Sequence, residues 1–356
     1  MKLLFIPSST CADPTYGRVL FSLGRELRRS SHDVRILSLR PGKRPDLELK
    51  GNTRGNHIYW CTPKTRAKTL DSVLKKFRPD FAHLHFSGSC TPWLAALMNT
   101  PESCGTKLAL TFQDYRHPDL PPLSAPQRKL LCKAVNTADK ISAISTFIKR
   151  RLAADYPACA RKIRVIGNGA PEPFARAVPS GSYMLSIGRL AHYKGMDLLL
   201  MAYAEARRKG LRAPLVICGA DFQNGKLKNF CRLLGLEDKV TFTGLLSQLE
   251  TEKLLRGCLF FTLLSRFESF GMSALEAMAC GKAALLSGVG GMGDFAKNGR
   301  NALLCFPQDT GKAARLMLKL EQDAKLRARL GSAARRDANK LSWPKLAKTY
   351  LDFYRG

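Results

Sequence analysis

Short apolar runs alternate with longer amphipathic segments along most of the chain. The runs are four to seven residues long and rich in Val, Ile, Leu and Phe, as is typical of strands buried on both faces of a sheet. The segments between them carry apolar residues at three- and four-residue spacing, which predicts helices. We therefore expect repeated β-α units that build parallel sheets covered by helices on both faces.

These units fall into two groups, separated by residues 169–181, a stretch rich in Pro and Gly that is typical of a linker. Because each group is long enough to bury its own core, we expect one domain over residues 1–172 and a second over 173–340. Ligands bind beyond the carboxyl ends of the strands in such sheets, so we expect the active site in a cleft between the domains. The predicted strands are 2–6, 33–39, 57–61, 81–86, 107–112, 140–144, 163–166, 183–187, 215–218, 240–243, 258–264, 283–286 and 303–306. The predicted helices are 16–29, 67–77, 92–98, 125–138, 146–154, 196–209, 225–234, 248–256, 272–280, 311–320 and 324–340.

The composition is that of a folded globular protein, with 45% of the 356 residues hydrophobic and 24% charged. The eleven cysteines form no CxxC pair and no Cys/His cluster at zinc spacing, which favours a reduced, cytoplasmic protein. No apolar run approaches the roughly 18–20 residues that a membrane helix needs. The apolar start of the chain ends at Pro7, too early for a signal peptide, so we expect a buried first strand there.

The net charge of +30 is spread over both halves of the chain and is not confined to a tail. Three partners would account for it: an anionic membrane surface, a nucleic acid or an anionic substrate steered to its site. A general bias of the proteome towards arginine would account for it as well.

Residues 265–276 (SRFESFGMSALE) combine two carboxylates with a predicted helix start. An apolar run precedes this segment and helix-forming residues follow it, which predicts strand, short loop and helix. Glu268 then lies in the loop and Glu276 about two turns into the helix. Free N–H groups at the helix start stabilise an anion such as a diphosphate. Each glutamate can accept hydrogen bonds from hydroxyls at one end of the ligand. A nucleotide sugar has that shape, although two unrelated glutamates on a surface helix would have the same spacing.

Residues 186–197 (SIGRLAHYKGMD) place two cations where a strand ends and a helix begins. Arg189 follows the strand, and Lys194 stands five positions later beside Gly195. Two cations near a helix N-terminus suit a diphosphate that gains negative charge as its bond to a sugar breaks. The segment lies about 80 residues before the glutamate pair and in the same predicted domain.

These two segments resemble the E-x7-E and GR-L-x3-KG elements of the family 4 retaining glycosyltransferases. The resemblance implies the GT-B fold, two Rossmann-like doubly wound parallel-sheet domains that face each other across a cleft. It also implies that Glu268 contacts the donor sugar and Glu276 the ribose, while Arg189 and Lys194 hold the diphosphate. The catalytic residues it implies are Glu268, Arg189 and Lys194. The donor-binding residues it implies are Gly17, Arg189, Lys194, Val240, Phe242, Thr243, Glu268, Phe270, Gly271, Met272 and Glu276.

Several weaker segments follow the family's order. Residues 239–245 (KVTFTGL) resemble the strand and loop around the nucleotide base, where backbone groups contact the base edge. Residues 290–294 (GGMGD) resemble its GG-x-x-E, with Asp294 in place of Glu, and 301–309 resemble its N-G-L-L-V-x-P-x-D. Residues 341–356 resemble its closing S-W helix, which implies a C-terminal helix that packs back on the N-terminal domain.

The first domain matches the family less closely. Residues 15–18 (TYGR) occupy the place of its glycine-rich loop, with the usual double glycine reduced to Gly17. Residues 79–85 resemble its P-D-x-x-H-x-H strand, and histidines that alternate along a buried strand are most often core residues. Gln113 stands where many members have a histidine that faces the donor sugar. Glutamine cannot act as a general base but can hydrogen-bond a hydroxyl, so either no side-chain base is needed or Asp114, His117 or His85 has that role.

The resemblance implies a retaining transfer of a sugar from a nucleotide-sugar donor to a glycan or lipid-linked acceptor, as in surface polysaccharide or lipopolysaccharide biosynthesis. The chain contains no D-x-D pair, so we expect no metal and no cofactor besides the donor. The positive charge predicts peripheral contact with an anionic membrane surface, in the cytoplasm or on the cytoplasmic face of the inner membrane. Two alternatives are a nucleotide-sugar 2-epimerase on the same fold and a basic, non-enzymatic nucleic-acid-binding protein. The second leaves both elements unexplained and has no RNP-like, KH or zinc pattern, so nucleic acid is the less favoured partner.

Overall fold

The computed structural model describes residues 1–8, 14–39, 57–87, 91–99, 105–118, 121–170 and 181–356, with the side chains of 14–16 left aside. The chain forms two compact α/β units. The first domain contains Met1–Gly169 together with Trp343–Gly356, and the second contains Ala170–Ser342. The boundaries expected from the sequence, 172/173 and 340/341, lie three and two residues away from these, and most of the predicted linker lies outside the described residues.

The first domain is built on a seven-stranded sheet with the strand order β3-β2-β1-β4-β5-β6-β7, in which all neighbours pair in parallel. This is the doubly wound order, whose connections reverse direction between β1 and β4. Its strands are β1 Lys2–Pro7, β2 Asp33–Leu39, β3 His57–Cys61, β4 Phe81–Phe86, β5 Lys107–Phe112, β6 Lys140–Ala143 and β7 Ile163–Val165. The described helices before the second domain are α1 Pro14–Arg29, α2 Arg66–Phe77, α3 Thr91–Met98, α4 Ala125–Thr137 and α5 Thr146–Asp155.

The second domain repeats this design with a six-stranded parallel sheet in the order β10-β9-β8-β11-β12-β13. The connections reverse between β8 and β11, which are therefore neighbours at the centre of the sheet. Its strands are β8 Met184–Ile187, β9 Leu215–Cys218, β10 Val240–Gly244, β11 Phe260–Leu263, β12 Ala284–Leu286 and β13 Leu303–Leu304. Its helices are α6 Met196–Arg208, α7 Lys226–Leu233, α8 Gln248–Gly257, α9 Met272–Ala279, α10 Thr310–Gln322 and α11 Ala324–Ala338.

The last helix, α12 (Trp343–Arg355), belongs to the first domain. Its buried face joins the core formed by α1, β1 and β2. Tyr354 is 3% exposed, and its hydroxyl pairs with Nδ1 of His83 on β4 at 2.5 Å. Nε2 of the same imidazole pairs with the Thr111 hydroxyl at 2.6 Å. His83 is thus a core residue with both ring nitrogens satisfied, as its place on a buried strand predicts.

The element boundaries agree with the sequence-based expectations to within one or two residues at most positions. A capping box starts α8, where the Ser247 hydroxyl accepts from the Glu250 N–H and the Glu250 carboxylate accepts from the Ser247 N–H. A second capping box, between Ser124 and Gln127, starts α4, with Gln in place of Glu at the third helical position. The chain crosses between the domains at Ala170 and Ser342, which form a parallel bridge.

Candidate functional site

The two strongest sequence elements lie at the point where the second sheet reverses its connections. Arg189 follows β8, and Glu268 follows β11 in the loop that leads to α9. Because β8 and β11 are parallel neighbours, their carboxyl ends lie at the same edge of the sheet. Open α/β sheets bind ligands at this edge. Segments about 80 residues apart in the sequence therefore form one site.

Lys194 and Glu268 form an ion pair at the centre of this site. The Lys194 ammonium donates to Glu268 Oε1 at 2.5 Å, and the Ser265 hydroxyl donates to the same oxygen at 2.9 Å. The two charged side chains are only 16% and 6% exposed. Among the described residues, the other carboxylate oxygen, Oε2, has no protein donor and is left to accept a ligand hydroxyl. The ammonium has three N–H donors, so it can hold Glu268 and an anionic ligand together.

A second ion pair, which the sequence reasoning missed, clamps the two segments together. The Arg266 guanidinium binds both carboxylate oxygens of Asp197 at 2.7 Å and also donates to the His192 carbonyl at 2.9 Å. The backbone N–H groups of Arg266 and Phe267 both donate to the Tyr193 carbonyl. Burial alone would raise the pKa of the Asp197 carboxyl. The hydrogen bond and the positive charge of Arg266 outweigh burial and, with the backbone hydrogen bonds, hold that pKa below its usual value. Arg266 stands beside the recognised glutamate in the sequence, and only the structure shows its partner.

Two glycines allow the backbones around Glu268 to approach one another. Gly195 has φ +61°, and a Cβ there would overlap the Leu264 carbonyl oxygen. Gly290 has φ +60°, and a Cβ there would overlap the Glu268 carbonyl oxygen. The Gly291 N–H donates to that same carbonyl at 2.9 Å. The Gly290–Asp294 segment, a short 3₁₀-helix, therefore supports the backbone of the site.

Helix α9 begins directly beyond the loop. Gly271 has φ +97° and precedes the first helical residue, Met272, and as a glycine it has no side chain with which to cap the N-terminus. The N–H groups of the first turn are thus available to an anion. Glu276 is buried and is the fifth residue of the helix. It therefore lies little more than one turn from the helix start, whereas the sequence analysis placed it about two turns in. The Phe270 side chain is 4% exposed and packs on Phe295, so any ligand contact there would involve backbone.

Arg189 is exposed at this edge of the sheet, unlike Lys194. Its guanidinium carbon lies 5.9 Å from the ring centroid of Phe222, an aromatic residue on the loop after β9. The part of the chain that the structure describes provides no carboxylate partner for Arg189. Its positive charge is therefore available to a ligand. Phe222, like the Arg266–Asp197 pair, was not predicted from the sequence.

The residues predicted to lie at the nucleotide base are spread along β10, an edge strand. Val240 is the first residue of β10 and is buried, so it lies at the amino end of the strand, opposite to the edge where open α/β sheets bind ligands. Its side chain is therefore poorly placed for the predicted contact with the base. Phe242 and Thr243 are partly exposed nearer the carboxyl end. The Gly244 carbonyl accepts from the Gly219 N–H at 2.9 Å, which joins the loops after β9 and β10.

The later segments that resemble the family differ in what they do. Asp294 is exposed at the end of the 3₁₀-helix beside Glu268. Asn301 is fully buried and holds its own turn together, because its amide group binds the Lys297 N–H, the Phe295 carbonyl and the Asp337 carboxylate. Asn301 therefore has a structural role and links the turn to α11.

In the first domain, Gly17 is buried in the first turn of α1. Gln113 follows β5 and is 4% exposed; its amide nitrogen lies 3.3 Å from His85 Nδ1, and its carbonyl oxygen accepts from the Asn168 amide at 2.9 Å. His85 Nε2 is buried without a partner among the described residues. Burial lowers the pKa of His85 to about 3, so this imidazole is neutral near pH 7. The structure thus joins Gln113, which stands in the place of the family's histidine, to His85, one of the residues considered for the role of that histidine.

The first domain also contains a cavity of about 790 Å³ between α4, the end of α5 and the loop after β5. Arg128 and Lys129, both exposed on α4, contribute cations to its lining. The Tyr115 hydroxyl donates to Asp155 at 2.5 Å and fixes one wall. The other apolar lining residues are Phe86, Pro118, Pro121, Pro122, Leu123 and Tyr156.

The described residues lack two other kinds of feature. None of their helices combines the length and apolar character that a membrane-spanning helix requires. Nor do these residues bring three or more His, Cys, Asp or Glu side chains together in a way that could hold a metal ion.

The fold has close counterparts among solved structures. The structure of Anabaena Alr3699/HepE in complex with UDP and glucose aligns over 100% of both chains with a TM-score of 0.81 at 17% sequence identity. The apo form of the lipopolysaccharide outer core galactosyltransferase WaaB aligns over 99% of both chains with a TM-score of 0.74 at 19% identity. The chain has two Rossmann-like domains in succession, and its counterparts are glycosyltransferase structures of the GT-B class. The fold is therefore GT-B.

Sequence comparison identifies the family. Residues 175–337 match the family described as "Glycosyl transferases group 1", and residues 16–172 match "Glycosyltransferase Family 4". The chain therefore belongs to the family 4, group 1 glycosyltransferases. Among curated relatives, the mannosylfructose-phosphate synthase of Agrobacterium fabrum is 32% identical over 185 residues, which are 49% of this chain and 41% of that protein. The chain spans about half the length of the curated relatives that it matches, between 41% and 58% for the first three.

Proposed function

We propose that this protein is a retaining glycosyltransferase that moves a sugar from a nucleotide-sugar donor to a glycan or lipid-linked acceptor. The observation that carries the proposal is the Lys194–Glu268 pair beside the start of α9. This ion pair is nearly buried, and the Lys194 ammonium has further N–H donors for a ligand. The helix N–H groups and the exposed Arg189 lie at the same edge of the sheet. Together these groups suit a ligand with a diphosphate and hydroxyls. The likeness to a GT-B structure that holds UDP and glucose supports the donor class.

In this proposal the diphosphate binds at the N-terminus of α9, between Arg189 and Lys194. As the bond between the anomeric carbon and the diphosphate breaks, negative charge grows on the leaving oxygen. The two cations and the helix N–H groups stabilise that charge more strongly in the transition state than in the ground state. No metal is then required for this task. Glu268 Oε2 orients the sugar through a hydroxyl, and Glu276 accepts from the ribose.

Retention requires the acceptor to attack from the face that the nucleotide leaves. In the proposed mechanism an oxygen of the departing phosphate takes the acceptor's proton, so the protein needs no carboxylate or imidazole as base. The first domain agrees with this feature, because Gln113 cannot take a proton and the low pKa of His85, about 3, makes it a poor base near pH 7.

We propose that the acceptor is a lipid-linked glycan of the kind used in lipopolysaccharide or surface polysaccharide assembly. The cavity of the first domain supports this, since its apolar wall and its cations Arg128 and Lys129 suit an anionic lipid. The net charge of +30 favours peripheral contact with the cytoplasmic face of an anionic membrane. The likeness to a lipopolysaccharide galactosyltransferase is consistent with the same acceptor class.

The transferase proposal is tested by following a nucleotide sugar and an acceptor by NMR. We expect a product with the anomeric configuration of the donor, turnover unchanged by EDTA, and loss of most turnover in Glu268→Ala, Arg189→Ala and Lys194→Ala. Near-wild-type turnover in all three variants would contradict the site. Release of an epimerised sugar or free nucleotide without any acceptor would indicate an epimerase.

The acceptor proposal is tested by binding to vesicles that contain anionic lipid. We expect salt-sensitive binding that falls in Arg128→Ser/Lys129→Ser and is retained in Lys228→Ser/Lys325→Ser, which removes the same charge from exposed positions on the second domain. Binding that does not depend on lipid charge, or equal loss in both double variants, would contradict a specific lipid site.

A further inference from the structure

Phe222 is an exposed aromatic side chain at the ligand-binding edge of the second sheet. It lies on the loop that follows β9, and 63% of its surface is accessible. Exposed phenylalanines need no explanation when they are scattered singly. Phe222, however, lies beside a cation that the proposed donor site uses, with its ring centroid 5.9 Å from the Arg189 guanidinium carbon.

The loop around Phe222 is held in place by hydrogen bonds. The Asp221 carboxylate accepts from the N–H groups of Gln223 and Gly225, both at 2.7 Å. The Phe222 N–H donates to the Leu190 carbonyl at 3.2 Å, and the Leu190 N–H donates to the Ala220 carbonyl at 2.8 Å. The backbone that presents Phe222 is thereby bonded to the residue next to Arg189, so the ring and the guanidinium are presented together.

The surface next to this loop is also apolar. The Gly219 N–H donates to the Gly244 carbonyl, which brings the loop after β10 alongside the loop after β9. Leu245 on that neighbouring loop is 67% exposed. The carboxyl edge of the sheet thus presents cations at β8 and exposed apolar side chains at β9 and β10.

We infer that Phe222 is the stacking platform for the base of the nucleotide donor. Every nucleobase has a flat π-face, and an exposed phenylalanine held by a braced loop supplies a matching surface at little entropic cost. Arg189 then lies between the base on the ring and the diphosphate at α9, where it serves both. The inference rests on the proposed donor site and adds to it the residue that binds the base.

The test is calorimetric titration of the protein with UDP, GDP, ADP and CDP, and separately with inorganic pyrophosphate, which has no base. For the nucleotide that the wild type binds best, we expect Phe222→Ala to weaken affinity about tenfold, Phe222→Trp to retain it, and pyrophosphate affinity to stay unchanged. The matched control is Phe306→Ala, which removes a phenylalanine that is even more exposed (78%) and follows β13, the edge strand farthest from β10 in the same sheet; this variant should bind as the wild type does.

Each other outcome identifies which statement fails. Unchanged nucleotide affinity in Phe222→Ala would overturn the platform while leaving the donor site intact. An equal loss for nucleotide and pyrophosphate would also overturn it, because Phe222 would then act only by positioning Arg189. Absence of nucleotide binding in the wild type would overturn the platform together with the proposed donor site.

Discussion

Two cations that the sequence presents as equivalent have different environments in the structure. Lys194 is 16% exposed and paired with Glu268, whereas Arg189 is exposed beside Phe222. Spacing within the GR-L-x3-KG segment identified both residues but carries no information on burial, which depends on the loop after β11. The ion pair between Arg266 and Asp197 could not be predicted from spacing either, because the two residues are 69 positions apart in the sequence.

We therefore predict that the two cations differ in their effect on stability. Lys194→Ala leaves a carboxylate that is 6% exposed without its cation and should lower the free energy of unfolding by about 3 kcal/mol. Arg189→Ala should change it by less than about 0.5 kcal/mol, because an exposed side chain is removed. Both should abolish nucleotide binding. Urea unfolding of each variant measures this contrast. The control is Lys194→Ala/Glu268→Gln, which removes the unpaired charge and should restore much of the stability. Equal losses of stability in the two single variants would contradict the prediction.

At the scale of elements, the apolar runs and their periodicity predicted the strands, the helices and their order well, because each parallel strand of this fold is a short apolar run flanked by turns. The sequence located the Gly290–Asp294 segment by its glycines, without showing what those glycines do. In the structure the segment forms a 3₁₀-helix whose first residue contacts the backbone of Glu268. Residues 239–245 are one segment in the predicted base site, but only the carboxyl end of a strand reaches the ligand-binding edge, and Val240 lies at the amino end of β10.

The two glycines at the start and near the end of this 3₁₀-helix provide a matched test. Gly290→Ala should weaken nucleotide binding and destabilise the second domain, because its φ of +60° is unfavourable for alanine and its Cβ would overlap the Glu268 carbonyl. Gly293→Ala should be nearly neutral, since a Cβ there meets no atom within 4 Å. Thermal unfolding and nucleotide titration of both variants measure the difference. Similar behaviour of the two would show that the segment does not support the site.

At the scale of the whole molecule, the first domain includes α12, which follows the second domain in the sequence. His83 and Tyr354 are 271 residues apart in sequence and hydrogen-bonded in the core. The resemblance predicted a returning helix, but the partner of His83 could not be predicted, because no local pattern marks which buried hydroxyl meets which imidazole. The rings of His83 and His85 are 4.3 Å apart, and burial lowers the pKa of both well below 6.5.

These two histidines predict how the stability of the first domain depends on pH. Below the unfolded pKa of 6.5 the unfolded chain binds a proton at each histidine while the folded domain does not. The free energy of unfolding should therefore be at its full value above pH 6.5 and fall towards the folded pKa, about 3 for His85, as the pH decreases. Each histidine contributes a slope of up to about 1.4 kcal/mol per pH unit.

Urea unfolding of the first domain between about pH 5 and pH 7 measures this slope, above the range in which most carboxylates titrate. His85→Asn should reduce the slope clearly without removing it, because burial also lowers the pKa of His83 and that of the less buried His32. His57→Asn, at an exposed position at the start of β3, should leave the slope unchanged. A stability that is flat over this range, or a slope that His85→Asn leaves intact, would show that the buried imidazoles are not responsible.

The central claim, a nucleotide-sugar site between Arg189, Lys194 and Glu268, is tested most directly by thermal unfolding with a panel of UDP-, GDP-, ADP- and CMP-sugars. A ligand that binds only the folded protein stabilises it by about 2.7 kcal/mol at a hundredfold excess over Kd. We predict a rise in melting temperature with one nucleotide class that disappears in Arg189→Ala. No rise with any nucleotide sugar, together with a clear rise with a short RNA, would contradict the account and show that the positive charge serves nucleic acid.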